Sequence, residues 1–435
     1  MLAGESHKMS DQQIETFHLP NGLTLVVEKM TEVQSAAFSI LVPGGSVYDG
    51  DGQNGTAAIL ADVITRGAGD RDSKQLSTDL DNLGVQRGEN AGCNHLVFRG
   101  ATLAENLPDA LAIYGDIVRR PHLQADQFSA AKSGIEQSLR AMEDEPRQKI
   151  MSELKRRCYP QPWGRPTDGT LDELPNITAA GMTSHYEKHF HPNGTIIGIA
   201  GNVDVKRIKD TIEQVFGNWN EKPEPTIETG DRGLSVDHIN HKSAQLHIAI
   251  AYDAVPFSSP DYYAAWAAVN VLGGGMSSRL FTEVREKRGL CYSVHASLNT
   301  LPKEGRVVCY AGTSVGRDEK TEELDVSTAQ ETLDVTVQEM VRLGEGIEQA
   351  ELDRCKARAK SSLIMQQEST MSRSGSVAYD WYYLGRVRTL SEIRDTIDAL
   401  TVDSVLDYVH QHPARNFTVL TIGPQALNPP EEDPS

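Results

Sequence analysis

Around residue 17 the chain reads as a hairpin: Phe17-His18-Leu19, a Pro20-Asn21-Gly22 turn, then Leu23-Thr24-Leu25-Val26-Val27. The Asn-Gly pair supplies the positive φ angles that a tight turn needs. A further apolar strand, Ala36–Val42, ends at Pro43-Gly44-Gly45. From Gly55 the period becomes helical, with Ile59, Leu60, Val63 and Ile64 on one face and Gly67 closing the segment. Helical patterns continue through Leu103–Val118, Asp126–Met142 and Arg147–Arg157, and a strand at Thr195–Gly201 precedes a helix near Val205–Phe216.

The stretch 221–233 combines proline, glycine and charge, which makes it a linker. Beyond it the order repeats. A strand (Ala244–Tyr252), a helix (Tyr262–Leu272), a glycine-rich turn and strands around Tyr292–Leu298 and Arg306–Gly312 lead into helices at 327–343, 348–368 and 402–411. The ends of the halves match best. His191-Pro192, after the helix Met182–Phe190, leads into Thr195–Gly201, as His412-Pro413, after Val402–Gln411, leads into Phe417–Gly423. The predicted fold is α+β, with two tandem, similar domains at 14–220 and 234–425, and a disordered tail at 426–435.

Composition narrows the function classes. With 435 residues the chain can bury a core in each domain. Its 42 Lys and Arg against 61 Asp and Glu give a net charge of −19, which repels phosphate backbones and anionic lipid, so nucleic acid is not an expected partner. No apolar run reaches the roughly 18 residues of a membrane span, and Met1-Leu2-Ala3-Gly4-Glu5-Ser6-His7-Lys8 lacks the basic-then-apolar order of a secretion signal. Cys93, Cys158, Cys291, Cys309 and Cys355 are odd in number and form no Cys-x-x-Cys pair, which points to reduced thiols and a cytoplasmic setting.

Three segments invite a chemical reading. His185 and His189 share a helix face, as zinc ligands do, but Glu187 points to the opposite face, and the repeat aligns His189 with His410 at an equivalent helix end, where a cation suits the dipole. Gly273-Gly274-Gly275 opens a possible phosphate loop without the Gly-Lys-Ser/Thr ending, so close backbone approach in a turn is the simpler role. The helix carrying Arg285 ends in Lys287-Arg288, breaks at Gly289 and enters a strand bearing Tyr292, so Arg285 and Tyr292 can converge across the corner; a basic helix end beside an ordinary strand tyrosine is the alternative.

Taken together, the segments resemble the M16 (pitrilysin-like) metallopeptidase family in its short two-domain, processing-peptidase-like form. The resemblance rests on Leu19–Leu23, Gly44-Gly45-Ser46, Trp163-Gly164-Arg165-Pro166 with Gly169-Thr170, Pro192-Asn193-Gly194 into Gly201-Asn202-Val203-Asp204, and Gly273–Leu280 through Gly289–Tyr292. It implies two domains of the LuxS/MPP-like metallohydrolase fold, each a mostly antiparallel sheet packed with helices. Active members carry Gly-x-Ala-His-x-x-Glu-His on the first helix; here that stretch reads Gly55-Thr56-Ala57-Ala58-Ile59-Leu60-Ala61-Asp62. The third family ligand falls at or near Ser138, with Glu136 two residues away. One carboxylate with Asp62 cannot build a three-ligand site, so this chain is expected to bind no metal, with an adventitious ion at His185 and His189 left open. Arg285 and Tyr292 match the family pair that stabilises charge on the scissile carbonyl oxygen. The resemblance therefore implies a non-zinc subunit that pairs with a zinc-binding paralogue, or with itself in isolation, and that receives unfolded peptides in extended form. An inert scaffold or a peptide-binding protein of the same fold is the alternative.

Overall fold

The computed structural model describes residues 12–223, 225–317 and 323–429. It is α+β and divides into two compact units, each built on one sheet. The first comprises residues through Glu136, Thr167–Ile227 and Ser361–Asp395; the second comprises Gln137–Pro166, Glu228–Lys360 and the chain from Thr396.

In the first unit lie β1 (Gln13–His18), β2 (Thr24–Lys29), β3 (Ser35–Pro43), a two-residue ladder of β4 (Gly67–Ala68) with β5 (Arg71–Asp72), β6 (Gln86–Ala91), β7 (His95–Leu103) and β8 (Ile196–Gly201). The six-stranded sheet runs β1-β2-β8-β3-β7-β6, with β2 and β8 parallel and every other neighbour antiparallel. In the second unit lie β9 (Val236–Asn240), β10 (Gln245–Ala254), β11 (Ser293–Thr300), β12 (Gly305–Ser314), a short ladder of β13 (Gly316–Arg317) with β14 (Leu324–Asp325), and β15 (Thr418–Gly423). This five-stranded sheet runs β11-β12-β10-β15-β9, with β15 and β9 parallel. Taken from its parallel edge, β2-β8-β3-β7-β6 has the same order as β9-β15-β10-β12-β11, so the repeat in the sequence is a repeat of topology.

The central strands β3 and β10 are buried along nearly their whole length. Both of their faces are covered, which is why they read as continuous apolar runs rather than alternations. One cover comes from an unexpected place in the chain. The helix Thr370–Leu384 packs on β8, β3 and β2 in the first unit, and the helix Pro146–Cys158 packs on β10 and β15 in the second. Gly198 on β8 makes the first of these contacts possible, since a Cβ there would lie 2.9 Å from that of Ala378 and would strike the Ser374 carbonyl. Compared with chain halves at 14–220 and 234–425, the compact units thus exchange residues 137–166 and 361–395.

Local boundaries shift in two places. Leu103 completes β7, and the helix expected from that residue begins at Leu107. The segment 221–233 is irregular, yet its end is held: Gly230 donates to the Gln161 carbonyl at 2.8 Å and Gly233 to that of Arg157 at 3.1 Å. In the stretch expected to be disordered, Leu427 packs against the second core, and Asn428 exchanges hydrogen bonds of 2.9 and 3.2 Å with Gln330; residues 430–435 lie outside the described residues. Among the described residues no helix is long and apolar enough to cross a membrane.

Candidate functional site

The helix Thr56–Val63 starts after Gly55, whose φ of 110° lies in the left-handed region glycine tolerates. Its first turn is anchored by Asp49, a buried carboxylate that accepts the Gly55 and Ala57 N–H groups at 2.8 and 2.9 Å. Ala58 and Ala61 are buried on this helix. Asp62 faces Arg66, which donates to both carboxylate oxygens at 2.8 and 2.9 Å. Zinc at a catalytic site takes three protein donors. This helix presents two methyl groups and one carboxylate already clamped by a guanidinium, a donor set that does not fit the ion. Ser138 is exposed on the helix Ala125–Glu143, and Glu136 on the same helix is half-buried.

His185 and His189 are buried side by side, ring centroids 4.9 Å apart. His185 Nε2 donates to the Gly44 carbonyl at 2.9 Å, and its Nδ1 lies 3.7 Å from Asp49; the His189 ring lies against Tyr48. Among the described residues no group of three or more His, Cys, Asp or Glu side chains gathers to hold a metal. Burial pushes His185 down to about 4 and His189 to about 3, and His95, buried beneath Tyr382, down to about 4. All three imidazoles are neutral in the fold at pH 7. In the unfolded chain they titrate near 6.5, so that state binds more protons between there and about 4. Stability is therefore expected to be full above pH 6.5 and to fall as the pH drops towards 4. Melting temperatures at pH 7.5, 5.5 and 4.5 should decline in order, and less steeply in His185→Asn/His189→Asn; a flat profile over that range would show the sign to be wrong.

In the second unit the residues around Gly289 form a different kind of site. Phe281–Glu286 is a π-helix, a wider turn that often marks functional positions and has no sequence signature. It spreads its basic residues unequally. Lys287 and Arg288 both pair with Glu283, at 2.6 and 3.0 Å, whereas Arg285 makes no ion pair among the described residues. Its guanidinium instead lies over Phe281 and Tyr292, 4.8 and 5.2 Å from the ring centroids. Gly289, at φ 63°, turns the chain, and Tyr292 joins the sheet through its N–H to the Gly312 carbonyl at 3.1 Å. The Tyr292 side chain is 82% exposed, unusual for an aromatic of its size. Arg285 and Tyr292 thus stand together, with N–H and O–H donors open to a ligand, at the start of the edge strand β11.

Gly273, Gly274 and Gly275 end the helix Tyr262–Gly273, and none has a positive φ. Their smallness serves close approach: a Cβ on Gly273 would lie 2.6 Å from that of Ala296 on β11. The cysteines are free, and burial pushes the Cys158 and Cys291 thiols up to about 11, so neither is a thiolate nucleophile.

Residues 24–170 match the profile described as Insulinase (Peptidase family M16), and residues 176–359 match Peptidase M16 inactive domain. The chain belongs to peptidase family M16. Among relatives of this M16 chain, a Bacillus subtilis protein described as an uncharacterized zinc protease is 25% identical over 96% of the chain and 100% of its own length. One from Rickettsia felis, described in the same words, is 25% identical over 94% of the chain and 97% of its own. Two solved structures share the fold. A peptidase M16 inactive domain from Pseudomonas fluorescens superposes with TM-score 0.84 at 21% identity, covering 96% of this chain and 100% of that one. A chain of complex III2 from Candida albicans gives TM-score 0.79 at 20% identity, covering 94% and 96%.

Proposed function

We propose that this M16 chain is the zinc-free subunit of a heterodimeric zinc endopeptidase and completes the partner's site with Arg285 and Tyr292. The observation that carries the reading is the exposed Tyr292 side chain with an unpaired Arg285 guanidinium stacked on it. A buried structural pair would have its polar groups satisfied within the fold; this one offers them outward. As a peptide carbonyl gains negative charge during attack, these donors stabilise it in place, while the metal and the base belong to the partner. The donor set of Ala58, Ala61 and the clamped Asp62 supports the assignment of zinc to another chain. Strand β11 ends its sheet beside Tyr292, and an extended, unfolded peptide adding to that edge would pass the pair. Free thiols throughout fit a reducing compartment such as the cytoplasm.

Affinity capture of this chain from its host, followed by mass spectrometry, tests the reading. A stoichiometric M16 chain with an intact His-x-x-Glu-His is expected; recovery of this chain alone or paired only with itself counts against it. The scaffold alternative draws on the fold shared with the complex III2 chain and expects replacements of Arg285 and Tyr292 to be silent.

A further inference from the structure

Behind the glycine turn, the helix Gln349–Gln367 carries Arg354 and Arg358, four residues apart and so on one face. Together with Ser277 and Ser278 they line a small open pocket in the second unit. Arg358 folds back over the turn and donates to the Gly274 carbonyl; a Cβ on Gly275 would collide with its guanidinium, so glycine is what admits it. Arg354 makes no hydrogen bond or ion pair among the described residues. The carboxylate of Glu351, which also lines the pocket, is already engaged, because Arg279 grips both of its oxygens, at 2.8 and 2.7 Å, and the Glu348 N–H adds a third bond at 2.9 Å. Ser278 is only 5% exposed, yet its hydroxyl has no hydrogen-bond partner. A buried, unused hydroxyl carries a cost that a ligand atom can remove. The space beside it is about 10 Å³, enough for one oxygen atom.

We propose that this pocket binds a single oxyanion, a carboxylate or phosphate group, with one oxygen seated at the Ser278 hydroxyl and the others held by Arg354 and Arg358. Guanidinium groups match both anions in shape and charge, and here two of them line one pocket whose single carboxylate, Glu351, already has both oxygens taken by Arg279 and the Glu348 N–H. The pocket lies wholly within one unit of this chain, so it needs neither a zinc partner nor the Arg285 and Tyr292 pair.

Calorimetric titration of the full chain with inorganic phosphate tests the site. One saturable site is expected, weakened about tenfold by Arg354→Gln, the loss of one charge-assisted contact. Arg354→Gln/Arg358→Gln should abolish it, with a melting temperature lowered only by the loss of the Arg358 contact to the Gly274 carbonyl. Competition then separates the sources. Displacement of phosphate by a short peptide with a free C-terminal carboxylate, and not by its amide, makes a peptide terminus the occupant; displacement by neither makes it free phosphate. Wild-type protein that shows no saturable binding of phosphate or peptide carboxylate, or an Arg354→Gln chain that binds as tightly as wild type, overturns the proposal.

Discussion

Replacing Arg285 by alanine is expected to lower turnover of the reconstituted peptidase by about 10²- to 10³-fold, the usual worth of one donor aimed at a developing oxyanion. The loss should appear in kcat with KM nearly unchanged, because the carbonyl oxygen carries its charge only in the transition state. Tyr292→Phe removes the hydroxyl and keeps the ring on which the Arg285 guanidinium rests. It should therefore cost less than Arg285→Ala, and the double variant less than the product of the two losses, if the groups serve one oxygen as proposed. Arg285→Lys should rescue little: an ammonium group does not reproduce the planar fork that lies over Phe281 and Tyr292. Arg285 makes no ion pair among the described residues and Tyr292 is largely exposed, so melting temperature and partner binding should stay close to wild-type values. Turnover that remains unchanged in Arg285→Ala would place the pair outside the chemistry.

The second large effect concerns stability. Arg373, on the helix that crosses from the second half of the chain, donates from Nε to Glu28 Oε2 on β2 at 2.8 Å, and its Nη2 lies 2.8 Å from the same oxygen in an ion pair whose side chains are 3% and 4% exposed. Gln12 donates to the other Glu28 oxygen at 2.5 Å. Arg373→Met would leave a carboxylate buried without its counter-charge, a loss of about 3 to 5 kcal/mol. For a unit of this size that corresponds to a fall in melting temperature of roughly 10 °C. Adding Glu28→Met should recover most of the loss, because an apolar pair of similar volume removes the stranded charge. A single variant that melts within about 2 °C of wild type would show that the pair is solvated rather than buried.

How much of this was legible in the sequence differs between elements. The β2 hairpin, β3, β8 and β10 announced themselves because these strands are apolar over most of their length, with the Asn21-Gly22 turn before β2 and Pro43 and Gly201 closing β3 and β8. The edge strand β6, Gln86-Arg87-Gly88-Glu89-Asn90-Ala91, gave no such signal: it is largely exposed, and its register comes from pairing with β7. The helix Thr370–Leu384 was equally hidden. It opens with Thr-Met-Ser-Arg-Ser-Gly-Ser, and its small residues allow close approach to Gly198 rather than forming an apolar stripe. That the two compact units trade helices follows from contacts between distant segments, which no local pattern encodes.

At the candidate site, the convergence of Arg285 and Tyr292 could be read from the Gly289 corner. What spacing could not supply is the π-helix that leaves Arg285 unpaired while Glu283 takes Lys287 and Arg288. The tie between Asp62 and Arg66 is an ordinary i, i+4 pair and was visible in principle once both were placed on or just after one helix. The Asp49 cap and the burial of His185 against Gly44 depend on long-range packing, and only the fold reveals them.

Cleavage of a fluorogenic unstructured peptide, measured with this chain alone in the presence of zinc, with the zinc-motif partner alone, and with the two mixed, tests the division of labour most directly. Activity is expected only in the mixture, saturating at one copy of each chain. Hydrolysis by this chain alone that zinc restores after chelation would contradict the account.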